Sequence, residues 1–204
     1  MGWDTPAGQD SLDRAIAALN EHGMNASLVQ TGKEAREKVL SIIPPGEEVM
    51  NMTSMTLSAI GLDKDIMESG RYQATKNALS KMDPKTQHLE MQRLGAAPPW
   101  AIGSVHAVTE DGSAMLASKT GSQMAAYVYG ALKVIWVVGA QKVVADRDEG
   151  IRRIYEWSLP HERERALKAY GPGTTTAVNK LLIFNGEKTK DRITLILVNE
   201  VLGF

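Results

Sequence analysis

A continuous apolar segment near the middle of the chain, KVIWVVGA (133–140), constrains the fold more than any other feature. Its β-branched residues favour a strand, and the lack of alternating polar residues indicates that both faces of this strand are buried. Segments 11–24 and 31–43 have apolar residues at helical spacing, and short strand-like segments follow each of them. The chain therefore alternates between strands and helices.

This alternation predicts βαβ units and a mostly parallel sheet with helices on both faces. The sequence TEDG (109–112) predicts a hairpin turn between two strands. We interpret 180–185 and 192–200 as a second, antiparallel pair of strands. The expected fold is α/β, a three-layer α/β/α arrangement with a mostly parallel mixed sheet, in a single domain that spans residues 1–204.

Composition excludes several classes of protein. The chain has 23 basic and 24 acidic residues, with no basic cluster that would indicate a nucleic-acid partner. No apolar run is long enough to span a membrane, and no secretory signal is visible, so we expect a cytoplasmic protein. Cysteine is absent, which excludes cysteine-ligated iron–sulfur clusters and Cys-type zinc sites. The histidine spacing predicts no metal site, and the sequence leaves the identity of any cofactor unknown.

A cluster of small polar residues follows the predicted strand 47–51 and precedes a helix. It contains Asn51, Thr53, Ser54 and Thr56. Ligands of parallel sheets bind outside the carboxyl ends of the strands, and helix N-termini attract anions. Helix capping is the alternative, but capping requires one hydroxyl and this segment has three. We therefore predict that the segment binds an anionic ligand.

A second loop has the same arrangement of strand, polar turn and helix. Its candidate ligand-binding residues are Gly121, Ser122 and Gln123, and the glycine permits close approach of the backbone. Helix capping is again the alternative. The sequence has neither a Walker loop nor a GxGxxG motif, so nothing in it indicates a dinucleotide. If both loops lie at one edge of the sheet, they line one cleft.

Three side chains are candidates for catalysis. Glu110 and Asp111 are adjacent carboxylates in the predicted hairpin turn, where turn formation and solvation are the alternative roles. His106 lies on a predicted strand, where a hydrogen-bonded structural histidine is the alternative. The GxSxG nucleophile motif is absent.

Five segments together form a recognisable pattern: NMTSMTLSAIGL (51–62), GSVHAVTEDGSAM (103–115), TGSQMAAYVYGALKVIWVVGAQKVV (120–144), GIRRI (150–154) and DRITLILVNEVLGF (191–204). Taken together, these segments resemble one known family, the LUD (lactate-utilisation) domain. The resemblance is to the short, free-standing members, related to lactate-utilisation protein C. The chain departs from the family pattern in three places. Residues 170–182 lack the cysteine cluster that many short members carry there. His106 and Gln141 stand where the family usually has asparagines.

The resemblance implies a fold similar to the sugar-phosphate isomerase and CoA-transferase group. It implies binding of a small anionic metabolite (a carboxylate, sugar phosphate or acyl-CoA-like molecule) in lactate or organic-acid utilisation, alongside iron–sulfur oxidoreductase subunits. By fold analogy, Thr53, Ser54 and Thr56 match one binding loop of those relatives, and Gly121, Ser122 and Gln123 match another. Two alternatives remain: an isomerase or acyl/CoA transferase with Glu110 or Asp111 as base or nucleophile, and a non-catalytic subunit that docks an iron–sulfur partner. A homo-oligomer is compatible with each of these.

Overall fold

A parallel sheet of six strands forms the centre of the computed structural model, which describes residues 2–204. The ten strands are β1 (Asn25–Val29), β2 (Glu48–Asn51), β3 (Gln73–Ala74), β4 (Trp100–Gly103), β5 (Ala107–Thr109), β6 (Ala114–Ser118), β7 (Lys133–Gly139), β8 (Val143–Val144), β9 (Lys180–Phe184) and β10 (Ile193–Val198). The order in the central sheet is β1-β10-β7-β4-β2-β3, and every adjacent pair is parallel.

The apolar segment identified in the sequence is strand β7, which is buried on both faces as predicted. Trp136 packs into a core on one face of the sheet, while Ile135 and Val137 pack into a separate core on the other face. Alternation along the strand produces this division, since successive side chains of a strand point to opposite faces.

Helices cover the two faces. They are α1 (Gln9–Glu21), α2 (Gly32–Ile42), α3 (Met55–Ala59), α4 (Leu62–Glu68), α5 (Thr75–Leu79), α6 (His88–Ala96), α7 (Ser122–Ala125), α8 (Arg147–Arg153) and α9 (Leu159–Tyr170). Helix α1 buries Leu12 and Leu19 in the core that contains Trp136, and α2 buries Val39 in the opposite core. Two π-helical segments, Ala126–Gly130 and Ile154–Ser158, extend α7 and connect α8 to α9.

A second, mixed sheet has the order β8-β5-β6-β9. Its β5–β6 pair is antiparallel and confirms the predicted hairpin. The predicted antiparallel pairing of 180–185 with 192–200 is wrong, because β9 pairs with β6 whereas β10 lies between β1 and β7. Burial explains the separation: β10 is almost entirely buried, as a central parallel strand must be, whereas only one of the five residues of β9 is buried.

The parallel central sheet with helices on both faces is consistent with the predicted three-layer α/β/α fold. Within residues 2–204, no helix combines the length and apolar character needed to cross a membrane.

Candidate functional site

A cavity of about 670 Å³ opens at the carboxyl edge of the central sheet. Its walls include the segments that directly follow three strands: 52–56 after β2, 104–106 after β4, and Lys142 shortly after β7. Further parts of the wall come from the second sheet, from the helices α5, α7 and α9, from the loop 174–178 and from Phe204. The cavity therefore lies where the parallel topology predicts a ligand site.

Lys142 lies at the base of this cavity and is only 2% exposed. Its Nζ atom donates to the Thr56 Oγ1 atom at 3.0 Å, the Ser104 Oγ atom at 3.1 Å and the Val105 carbonyl oxygen at 3.3 Å. Burial, and secondarily the charge of Arg153, lower the pKa of Lys142 well below the ordinary lysine value of 10.5. The sequence does not single out Lys142, because a lysine shortly after a strand resembles an ordinary exposed side chain.

Arg153 is fully buried beneath the cavity. Its Nη1 atom donates to the His106 carbonyl oxygen at 2.5 Å and to the Ser158 Oγ atom at 3.1 Å, while its Nη2 atom has no hydrogen-bond partner within residues 2–204. Burial lowers the pKa of Arg153 to about 10. Across the same residues, neither Lys142 nor Arg153 forms an ion pair with a carboxylate. Lys142 in the cavity wall and Arg153, which contacts the lining residues His106 and Ser158, thus have no carboxylate counter-charge within residues 2–204.

His106 lines the cavity as a neutral side chain. The Ala117 backbone N–H donates to its Nδ1 atom at 3.2 Å, which assigns the ring proton to Nε2. Burial, followed by the charges of Lys142 and Arg153, lowers the pKa of His106 from 6.5 to about 3. The imidazole therefore offers the cavity an N–H donor and no charge.

The stability of the protein should depend on pH through His106. Between pH 6.5 and about 3 the unfolded chain binds a proton at this residue and the folded protein does not, so stability falls as the pH decreases through this range. We expect the His106→Asn variant to lose less stability than the wild type between about pH 7 and about pH 5 in urea titrations. The exposed His88 offers a matched control, and a His88→Asn variant should retain the wild-type dependence. An unchanged slope in His106→Asn would contradict this assignment.

The three hydroxyls of the first loop have three different roles. Ser54 caps α3, since its Oγ atom accepts from the Leu57 backbone N–H at 3.3 Å. Thr56 is buried in the network around Lys142. Thr53 is exposed at the cavity and accepts from the Lys76 Nζ atom at 3.2 Å. Capping thus accounts for one hydroxyl, and the other two contact lysines that line the cavity.

Asn51 lies outside the cavity. This residue is buried in β2, and its Oδ1 atom has no hydrogen-bond partner within residues 2–204.

The second loop faces the same cavity through Ser122 and Gln123. Gly121 does not line it, but adopts a left-handed conformation with φ of 88° and donates its backbone N–H to the Ser118 Oγ atom at 2.9 Å. Ser118 in turn donates to the Gln123 Oε1 atom at 3.0 Å. The fold therefore brings the two polar loops together, as expected from their positions after strands.

The two carboxylate candidates lie away from the cavity. Glu110 accepts from the Arg14 Nε atom at 2.7 Å and the Ser11 Oγ atom at 2.5 Å, so it ties the hairpin to α1. Asp111 accepts from the Thr109 hydroxyl within the turn. The structure thus places both side chains in structural contacts rather than in the cavity.

Further basic side chains reach the cavity from its rim. Lys76, Lys119 and Arg165 line it, and Glu162 is the one carboxylate among the lining residues that the structure describes. Glu162 forms a two-bond pair with Arg165 at 2.6 and 2.7 Å. Both side chains are half-buried where α9 lines the cavity.

No group of three or more potential metal-ligating side chains occurs within the described residues, 2–204. Fold and site together define an α/β protein with a cationic cleft at the carboxyl edge of a parallel sheet. The model of the LUD domain family matches residues 12–202, and the chain therefore belongs to the LUD domain family. No curated protein matches the chain.

The fold is similar to the crystal structure of a DUF162 family protein from Deinococcus radiodurans, with a TM-score of 0.60 and 12% sequence identity. The match covers 95% of this chain and 100% of the other. At 12% identity, this similarity shows that the two proteins share a fold and nothing more.

Proposed function

We propose that the protein binds a small organic anion, a carboxylate, a sugar phosphate or an acyl-CoA-like molecule, in the cleft between its two polar loops. The charge balance of the cleft is the observation that carries this proposal. Four basic side chains, Lys76, Lys119, Lys142 and Arg165, line the cavity, whereas Glu162 is the one acidic side chain among the described lining residues.

The buried base of the cleft strengthens the argument. Burying a charge is costly unless a partner compensates for it, and within residues 2–204 Lys142 and Arg153 have no carboxylate partner. A bound carboxylate or phosphate would supply the missing counter-charge.

The size of the cleft favours ligands larger than a three-carbon acid. Its volume of about 670 Å³ lies within the range typical of sites for drug-sized molecules. Apolar side chains such as Met52 and Tyr127 form part of the lining, and the Tyr127 hydroxyl is buried without a hydrogen-bond partner within residues 2–204. An anionic group attached to a larger organic body fits this combination better than lactate alone.

The proposal predicts a rise in melting temperature with a suitable anion. A panel of organic acids, sugar phosphates and CoA esters is added to the wild type and to the double variant Lys76→Met/Lys119→Met, which removes two amines that line the cavity. A ligand at about a hundred times its Kd adds about 2.7 kcal/mol, which is roughly 5–10 °C for a chain of this size. We expect the double variant to lose most of this shift.

Lys64→Ala provides a control, because it removes an exposed lysine outside the cleft. It should retain the full shift of the wild type. If no member of the panel stabilises the wild type, anion binding is contradicted and the docking-subunit alternative gains support. A docking surface would then need exposed apolar side chains, and the aromatic residues Tyr127 and Trp136 do not qualify because both are buried.

A further inference from the structure

We infer that Ser104 is a nucleophile for acyl transfer and that Lys142 is its general base. This inference rests on the proposed function, since the anionic part of the substrate would be held by the basic residues of the cleft. It adds a reaction to that binding site: cleavage of a thioester or ester of an organic acid. The carboxylates Glu110 and Asp111, which lie outside the cleft, take no part in it.

The two side chains lie one behind the other at the cavity wall. Ser104 lines the cavity and is half-buried, whereas Lys142 is almost fully buried behind it. The distance from the Ser104 Oγ atom to the Lys142 Nζ atom is 3.1 Å, within hydrogen-bond reach for proton transfer. A nucleophile activated by an adjacent base requires this arrangement, and serine–lysine pairs are among the variants that perform it.

The hydrogen-bond network around the amine accommodates both of its protonation states. As an ammonium group, Lys142 donates one proton each to Thr56, Ser104 and the Val105 carbonyl oxygen, and the Ser104 hydroxyl donates to the same carbonyl oxygen at 3.2 Å. As a neutral amine, it donates to Thr56 and Val105 and accepts the Ser104 proton on its lone pair. Reorienting one hydroxyl is enough, and no buried group loses its partner.

The surroundings favour the neutral amine that a base requires. Lys142 is buried, Arg153 is the nearby charge that acts on it, and no carboxylate within residues 2–204 pairs with it. Thr56 is the other hydroxyl in contact with the amine, but it is buried and donates to the Leu202 carbonyl oxygen at 3.1 Å. Ser104 is therefore the hydroxyl that a substrate can reach.

The reaction follows from these positions. The Ser104 Oγ atom attacks the acyl carbonyl carbon while its proton passes to the Lys142 Nζ atom. The bond from that carbon to sulfur or oxygen then breaks, and the leaving thiolate or alkoxide takes the proton from Lys142. Water attacks the resulting acyl-serine, which releases the organic acid and restores Ser104. The Nε2–H of His106, which lines the same cavity, is a neutral donor for the carbonyl oxygen as it gains charge.

Acetylation by p-nitrophenyl acetate tests the inference. The release of p-nitrophenolate is followed with time to give the rate of acetylation. Intact-protein mass spectrometry gives the number of acetyl groups on each protein, and peptide mapping of the wild type identifies the acetylated residue. We expect a burst of product with a single acetyl group on Ser104, lost in Ser104→Ala. Ser80→Ala is the matched control, because Ser80 is exposed outside the cavity, and it should be acetylated as the wild type is.

The Lys142→Met variant shows whether Lys142 acts as a general base or only supports the structure around Ser104. We expect its acetylation rate to fall at least about 100-fold, the usual lower value for general-base catalysis. The pH profile supplies the second readout: the wild-type rate should rise along a limb well below pH 10.5, the ordinary lysine value, and this limb should vanish in Lys142→Met.

The outcomes distinguish this inference from anion binding. Acetylation at other residues, or none, in a wild type that anions still stabilise would overturn the nucleophile assignment and leave the binding proposal intact. Circular dichroism and urea unfolding of Ser104→Ala, compared with the wild type, show that this variant is folded. If Ser104 is acetylated equally fast in Lys142→Met, Lys142 is not the base and the inference fails.

Discussion

The Trp136→Ala variant should lose about 3–5 kcal/mol in the free energy of unfolding, and its melting temperature should fall by roughly 10 °C. Trp136 is 0% exposed at the centre of β7. Its ring makes edge contacts with Tyr127 at 5.5 Å and Phe184 at 5.0 Å between ring centroids. Alanine would remove these contacts and leave a cavity that a close-packed sheet cannot fill. Urea unfolding followed by circular dichroism measures the loss.

Trp136→Phe is the comparison that tests this explanation. It keeps an aromatic ring for Tyr127 and Phe184, and it removes an indole N–H that has no hydrogen-bond partner within residues 2–204. We expect it to cost about half as much as the alanine variant. Equal losses in both variants would show that some feature other than the lost ring contacts and the cavity determines the effect.

The Arg192→Ala variant should lose a similar amount, about 3–5 kcal/mol, through a different mechanism. The guanidinium of Arg192 is buried and donates to the carbonyl oxygens of Ala126, Tyr127 and Ala131 at 2.9–3.2 Å, and to the Glu187 carboxylate at 2.8 Å. Its loss would leave a partly buried carboxylate and three carbonyls without this donor. Urea unfolding at neutral pH measures the change.

Arg147→Ala is a matched substitution at an exposed arginine. It should alter the free energy of unfolding by less than about 0.5 kcal/mol. A small loss in both arginine variants would mean that the buried contacts of Arg192 are replaced by water or by rearranged neighbours, which contradicts the account of its role.

The central fold could be predicted because its signals are local. The apolar segment 133–140 identifies a strand buried on both faces, and the capping pair Thr31 and Glu34 identifies the start of α2. The separation of β9 from β10 could not be predicted in this way. A short polar link between two strands suggests a hairpin, but pairing depends on which faces the rest of the molecule covers.

The candidate site was predicted in part. The positions of the two polar loops follow from the strands that precede them, and these loops do share one cavity. Lys142 and Arg153 were not identified, although both lie in segments that carry the family resemblance, because the burial of a basic side chain depends on distant elements. Glu110 and Asp111 were candidates because adjacent carboxylates suggest acid–base chemistry. Contacts with α1 and within the turn engage them instead.

The π-helical segments were also beyond sequence reasoning. The first brings Tyr127 to the cavity, and the second brings Ile154 and Ser158. The hydrogen bonds of a π-helical turn span five residues, whereas those of an α-helical turn span four. The side chains that follow a π-helical turn are therefore rotated about the helix axis relative to their positions in a regular α-helix. Ordinary helical periodicity cannot reveal such a rotation.

The parallel sheet also fixes how this protein could be attached to a solid support. All six strands present their carboxyl ends at the cavity edge, so the loop before β10, which contains the exposed residue Lys190, lies at the opposite edge. Because the chain has no cysteine, Lys190→Cys would introduce a single thiol for coupling. Every immobilised molecule would then present its cleft to the solution in the same orientation, which suits a sensor for screening anions.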